Sequence, residues 1–164
     1  MRNDRLFAYI EREEGRSTRA YFCPSGDLTI GVGHNITKNG LPSATQKMLE
    51  KYGKIDSVAI DNLLIEDIKI AKKGCWEIYG RDFFDSLSDV RQAVLISMCF
   101  QIGQTGLSKF IETNRLIKAR SFEDASVQML KSKWARQTKN RAKRASDMMR
   151  DDKWEDWIET KFKG

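Results

Sequence analysis

Hydrophobic spacing changes character along this chain and divides it into an opening helix, a short β region and a long helical remainder. Leu6, Phe7 and Ile10 recur at helical spacing ahead of Glu14-Gly15, so the first segment reads as a short amphipathic helix that Gly15 can end. Glu14 then sits at a helix end. From Tyr21 to His34 the period drops to two, with Pro24, Gly26, Gly31 and Gly33 as breaks, which predicts a small antiparallel sheet with tight turns. After Pro42-Ser43 the helical period returns as far as Tyr52. It resumes from Asp56, a candidate cap, through Val58, Leu64, Ile68 and Ala71. Beyond Gly80 helix follows helix. Ser88 to Gln101 is apolar nearly all round, as a buried central helix would be, and the last helix is predicted to carry Trp154, Trp157, Ile158 and Phe162 on one face. The economical architecture is a small mixed lobe, a connecting helix and a larger helical lobe. A cleft between such lobes is where a site is expected.

Composition narrows the class without choosing a function. With 164 residues, 40% of them apolar and 32% charged, the chain can bury a core without disulfides and has neither a disordered nor a membrane composition. The N-terminal stretch mixes charge with apolar residues and lacks a signal-peptide core. The longest apolar-rich run, Ala93 to Phe100, is too short to span a bilayer. Cys23, Cys75 and Cys99 are an odd set with no disulfide framework, which fits a reducing compartment. The net charge of +6, from 29 basic against 23 acidic residues, favours anionic partners such as nucleic acid, anionic lipid or an acidic cell wall.

Four chemistries can be built from the polar residues. Cys23, Cys75, Cys99 and the single histidine, His34, could supply zinc ligands, but no Cys-x-x-Cys or His-x3-His pair exists, and Cys75 and Cys99 fall in apolar helical patterns. Lys139 to Arg144 is a basic run that could track phosphates, with a solvated helix face as its ordinary reading. His34 could activate Cys23 as a nucleophile, although a lone histidine among glycines more often has a structural role, pairing with a carboxylate such as Asp67. Finally, Glu14, Cys23 and Thr29 could converge as the acid and the opposing group that glycoside hydrolysis needs.

The spacing Glu14-x8-Cys23-x5-Thr29, followed by Ile30-Gly31-Val32-Gly33-His34, resembles the catalytic segment of the phage-type lysozymes. Asp85 to Arg91, Phe100 to Gly106 and Gln137 to Arg144 are similar to family segments in the same order, so the likeness covers essentially the whole chain. It implies an α+β, mostly helical, two-lobed lysozyme-like domain. The sheet lobe would cover about residues 14–56, the connecting helix about 57–78, and the helical lobe about 80–164 together with the first helix at 3–13.

The same resemblance implies an endolysin that hydrolyses the β-1,4 bond between N-acetylmuramic acid and N-acetylglucosamine in peptidoglycan, without a cofactor. Glu14 would be the general acid, Cys23 the group across the sugar, and Thr29 would place the water or support its activator. Asn35, Phe100, Thr113 and Gln128 would contact substrate. His34 and Asp67 would be structural neighbours of the site, and Arg141 would pair with Glu14. The enzyme would be a monomer with no nucleic-acid partner and no stable membrane association. It would be made in the host cytoplasm and reach the periplasm and wall with the help of a phage holin. The alternative is a basic helical module that binds nucleic acid or cell wall without catalysis.

Cys23 departs from the family's best-known member, which has aspartate there, although other members carry cysteine. Ordinary values of about 4.3 for a glutamic acid and 8.5 for a thiol would leave a protonated acid beside a thiolate in roughly one molecule in ten thousand. Cations near Cys23 are therefore expected to lower its proton affinity.

Overall fold

A computed structural model describes residues 3–163. The chain falls into two compact units that divide after Lys69.

The first unit opens with α1 (Asp4–Glu14), whose start is capped by Asn3, its side chain accepting from the Leu6 N–H at 3.1 Å. Gly15 ends the helix at φ 78°, a conformation that costs little without a Cβ, and its N–H bonds to the Glu11 carbonyl. Three antiparallel strands follow in the order β1 (Ser17–Phe22), β2 (Leu28–Gly31) and β3 (His34–Asn35). The sheet begins four residues earlier than the period-two pattern suggested. Ser17-Thr18-Arg19-Ala20 carries no apolar alternation, and its strand is made instead by pairing of Ser17 with Gly31 across the ladder. A single-turn helix α2 (Ile36–Asn39) leads to α3 (Ser43–Tyr52) and then α4 (Ser57–Tyr79), which carries the boundary between the units. Asp56 caps α4 as expected, accepting from the Ala59 N–H at 2.8 Å. Arg16 pins the junction of α1 and β1. Its guanidinium donates to Glu11 at 2.7 Å, to Asp61 at 3.0 Å and to the Ser57 hydroxyl at 2.6 Å, tying the end of α1 to the first turns of α4.

The second unit is helical throughout: α5 (Arg81–Ser86), α6 (Asp89–Ser108), α7 (Ile111–Lys118), α8 (Phe122–Met129), α9 (Lys133–Gln137), α10 (Lys139–Asp151) and α11 (Asp156–Lys161). Ser88 caps α6, and the run Ala93 to Cys99 is buried, as the all-round apolar pattern predicts. The helix continues past Gln101 only through a break at Gly103, where φ is 76°. Against α10 pack α6, α8 and α9, while α7 packs on α8. A buried chain of hydrogen bonds locks Tyr79 to α7: its hydroxyl donates to Asn114 at 2.6 Å, and Asn114 donates to the Leu107 carbonyl at 2.9 Å. The last helix is shorter than its aromatic spacing implied. Trp154 precedes α11 and Phe162 caps it, leaving Ile158 as the buried residue of the helix.

Candidate active site

Local chemistry of the hairpin holds the reactive groups. In Cys23-Pro24-Ser25-Gly26 proline presets the first bend, the Gly26 N–H donates to the Cys23 carbonyl at 2.8 Å, and Gly26 takes φ 89°. The Cys23 N–H then bonds to the Asp27 carbonyl at 2.9 Å, so Cys23 extends the ladder one residue beyond β1. Its half-buried thiol lies 2.9 Å from the Ser25 hydroxyl. Thr29, 5% exposed on β2, supplies a second hydroxyl to the sulfur and can also donate to the Asp27 carbonyl at 3.2 Å.

These donors decide the state of the sulfur. The Ser25 hydroxyl has the largest effect; against a desolvation cost, it acts with the Ser25 and Asp27 backbone and with Thr29 to lower the Cys23 pKa to about 7. The expectation of cations is corrected here, because a thiolate is favoured just as well by hydroxyl and amide hydrogens aimed at it. Iodoacetamide alkylation of the folded protein should therefore rise through a midpoint near pH 7 at Cys23, where the thiolate forms. Cys75 and Cys99, 0% and 5% exposed, should stay unlabelled until the protein is denatured, as peptide mapping would report. Cys75 is further disfavoured as a thiolate, because its hydrogen bond with Cys99 and its burial both push its pKa up.

Glu14, the last residue of α1, lies over the turn that joins β2 to β3. A Cβ placed on Gly33 would stand 2.9 Å from Glu14 Oε2 and 3.2 Å from its carboxyl carbon, so the carboxylate occupies the space that glycine leaves. The Oε1 atom is shielded from solvent. Tyr21, on β1 opposite Thr29, lies within the electrostatic reach of both Glu14 and Cys23.

His34 is a structural part of the same unit. One ring nitrogen contacts Asp67 at 2.7 Å and the other the Gly40 carbonyl at 2.7 Å. A carbonyl and a carboxylate both accept, so this pairing favours the doubly protonated imidazolium form of the ring. Burial opposes that charge, but the Asp67 and Gly40 hydrogen bonds and the Asp67 charge outweigh it and hold the His34 pKa above its ordinary value. Asn35 caps α2 by accepting from the Lys38 N–H at 2.9 Å and donates to Asp27 at 2.8 Å, so both ends of its amide are engaged.

The second unit holds the remaining predicted residues. Thr113 on α7 and Gln128 on α8 line one cavity of about 430 Å³, together with Lys109, Phe110, Lys131 and Trp134. Phe100 is half-buried on α6, next to Gln101, which accepts from the Trp134 indole at 2.7 Å. Arg141 on α10 donates to the Ser97 hydroxyl at 3.0 Å and approaches its carbonyl at 3.3 Å. Within the basic run, Lys143 pairs with Asp147 at 2.7 Å.

Sequence reasoning overlooked three positions in the first unit: Ser25, Gly33 and Tyr21. Ser25 was signalled by its place two residues after Cys23 in a proline turn, and Tyr21 by sharing a strand face with Cys23.

Comparison with known proteins gives a consistent relationship. The profile of the phage lysozyme family matches residues 11–150. "Probable T4-type lysozyme 2" of Dictyostelium discoideum is 28% identical over 148 residues, covering 82% of this chain and 87% of that protein. "Probable T4-type lysozyme 1" of the same organism is 27% identical with the same coverage. The "Pre-baseplate central spike protein Gp5" of Enterobacteria phage T4 is 29% identical over an alignment of 157 residues that covers 84% of this chain and 26% of the spike protein.

Proposed function

Because the chain belongs to the phage lysozyme family and is a glycoside hydrolase of lysozyme type, we propose that it cleaves the β-1,4 bond between N-acetylmuramic acid and N-acetylglucosamine of peptidoglycan. The carrying observation is that one unit holds a carboxyl group seated over Gly33 and, on the adjoining hairpin, a sulfur whose proton leaves near pH 7. In this reading Glu14 gives its proton to the leaving glycosidic oxygen. The Cys23 thiolate removes a proton from a water whose oxygen bonds to the anomeric carbon as the carbon–oxygen link breaks, with Thr29 holding the sulfur. Water attack from the face opposite the leaving group inverts the anomeric centre.

Phe100, Thr113 and Gln128 are proposed to contact substrate, and so is Asn35, through whatever its amide retains beyond α2. The biological role proposed with this chemistry is host lysis by a monomer made in the cytoplasm that reaches the wall after a holin opens the membrane.

Purified peptidoglycan and outer-membrane-stripped Gram-negative cells test the activity. Reducing ends should appear and turbidity should fall. A suspension that stays opaque would leave a binding module as the reading. NMR of the anomer released first from a defined oligosaccharide tests the stereochemistry, and a trapped thioglycosyl enzyme would replace the base role of sulfur by direct attack.

A further inference from the structure

We propose that Tyr21 is a further residue of the reaction, its phenol hydroxyl donating to the attacking water and fixing that water against the Cys23 sulfur; this rests on the glycosidase reading above.

Three placements support the assignment. Tyr21 on β1 is directly opposite Thr29 on β2, and directly opposed residues project from the same face of a sheet. Cys23 lies two residues further along the same extended segment, so its side chain emerges on that face as well. Tyr21, Thr29 and the sulfur therefore form one cluster, and the phenol also lies in the field of the Glu14 carboxylate. Tyr21 is 37% exposed, so its side chain can meet an oxygen arriving from solvent.

The chemistry of the hydroxyl suits the task. Partial burial, and then the Glu14 and Cys23 charges, all disfavour phenolate, so Tyr21 keeps its proton throughout the range in which the thiol loses its own. A water poised for attack needs one hydrogen directed to the thiolate and one lone pair directed to the anomeric carbon. A donor on its second lone pair fixes both directions at once. Phe22 is on the opposite face of β1 and 74% exposed, so it provides a neighbour without this role.

The test compares wild type, Tyr21→Phe and Phe22→Leu on purified peptidoglycan. Tyr21→Phe removes only the oxygen. It should lower kcat by about tenfold to a hundredfold with KM within about twofold, because the lost contact is to the water rather than to the glycan. The melting temperature should stay within about 2 °C, and Cys23 alkylation should keep its midpoint near pH 7. Phe22→Leu should match wild type. Unchanged kcat in Tyr21→Phe, a rise in KM alone, a larger drop in melting temperature or an equal loss in Phe22→Leu would each overturn the assignment. An inactive wild type would instead remove the glycosidase reading beneath it.

Discussion

Glu14→Gln is expected to reduce release of reducing ends from peptidoglycan by about a thousandfold or more, because a departing sugar oxygen without a proton is a poor leaving group and the amide has none to give. That factor is about 4 kcal/mol of transition-state stabilisation. Nearly the same volume fills the space above Gly33, so the fold should be retained. Thermal melting within a few degrees of wild type would verify this and confine the loss to chemistry. Retention of more than roughly a tenth of the wild-type rate would move the acid to another residue. Substrate affinity should change little, since a group acting on the leaving oxygen contributes most when the bond is breaking.

Asp67→Asn should destabilise the fold. Asp67 and protonated His34 form a part-buried ion pair with side chains 16% and 7% exposed, and removing one charge leaves the other without its counter-ion. Such losses cost about 3 kcal/mol, or roughly 6–12 °C in melting temperature for a chain of this size. The pH dependence has a definite sign. The folded His34 pKa is raised, so the stabilisation is complete below the ordinary histidine value of about 6.5 and is lost as pH rises through the folded value. Wild type and Asp67→Asn should therefore differ most in chemical denaturation near pH 5.5 and converge in alkaline solution. A gap that widens with pH would mean the ring is held neutral. Catalytic loss should follow only as far as unfolding does, because the His34 ring bonds Asp67 and the Gly40 carbonyl and not the reacting groups.

Where one local interaction decides an outcome, the sequence was readable. Gly15 closes α1, Asp56 and Ser88 open α4 and α6, and an unbroken apolar run marks the buried part of α6. Cys23 and Thr29 come together because a tight proline turn leaves the hairpin little freedom. What was hidden depends on pairing and on orientation. The first half of β1 is polar and forms through its partner strand, so no period could announce it. The break at Gly103 is a backbone event inside a pattern that reads as continuous helix. For Cys23, a shift toward thiolate could be anticipated from the chemistry required, but its cause could not. Net charge pointed to cations, while the operative groups are neutral donors two and six residues away. Tyr21 escaped notice because exposed strand aromatics are common; its place two residues before Cys23 and its register with Thr29 together put it on the face of the sulfur.

Selection has little room to work beneath the acid. At position 33 a methyl group would crowd Glu14 Oε2 at 2.9 Å, and the backbone there adopts φ +64°, so two independent barriers hold the site to glycine. Ser25 and Thr29 act on the sulfur from the hairpin, so substitutions there bear on how readily the thiol sheds its proton and not on the seat of the acid.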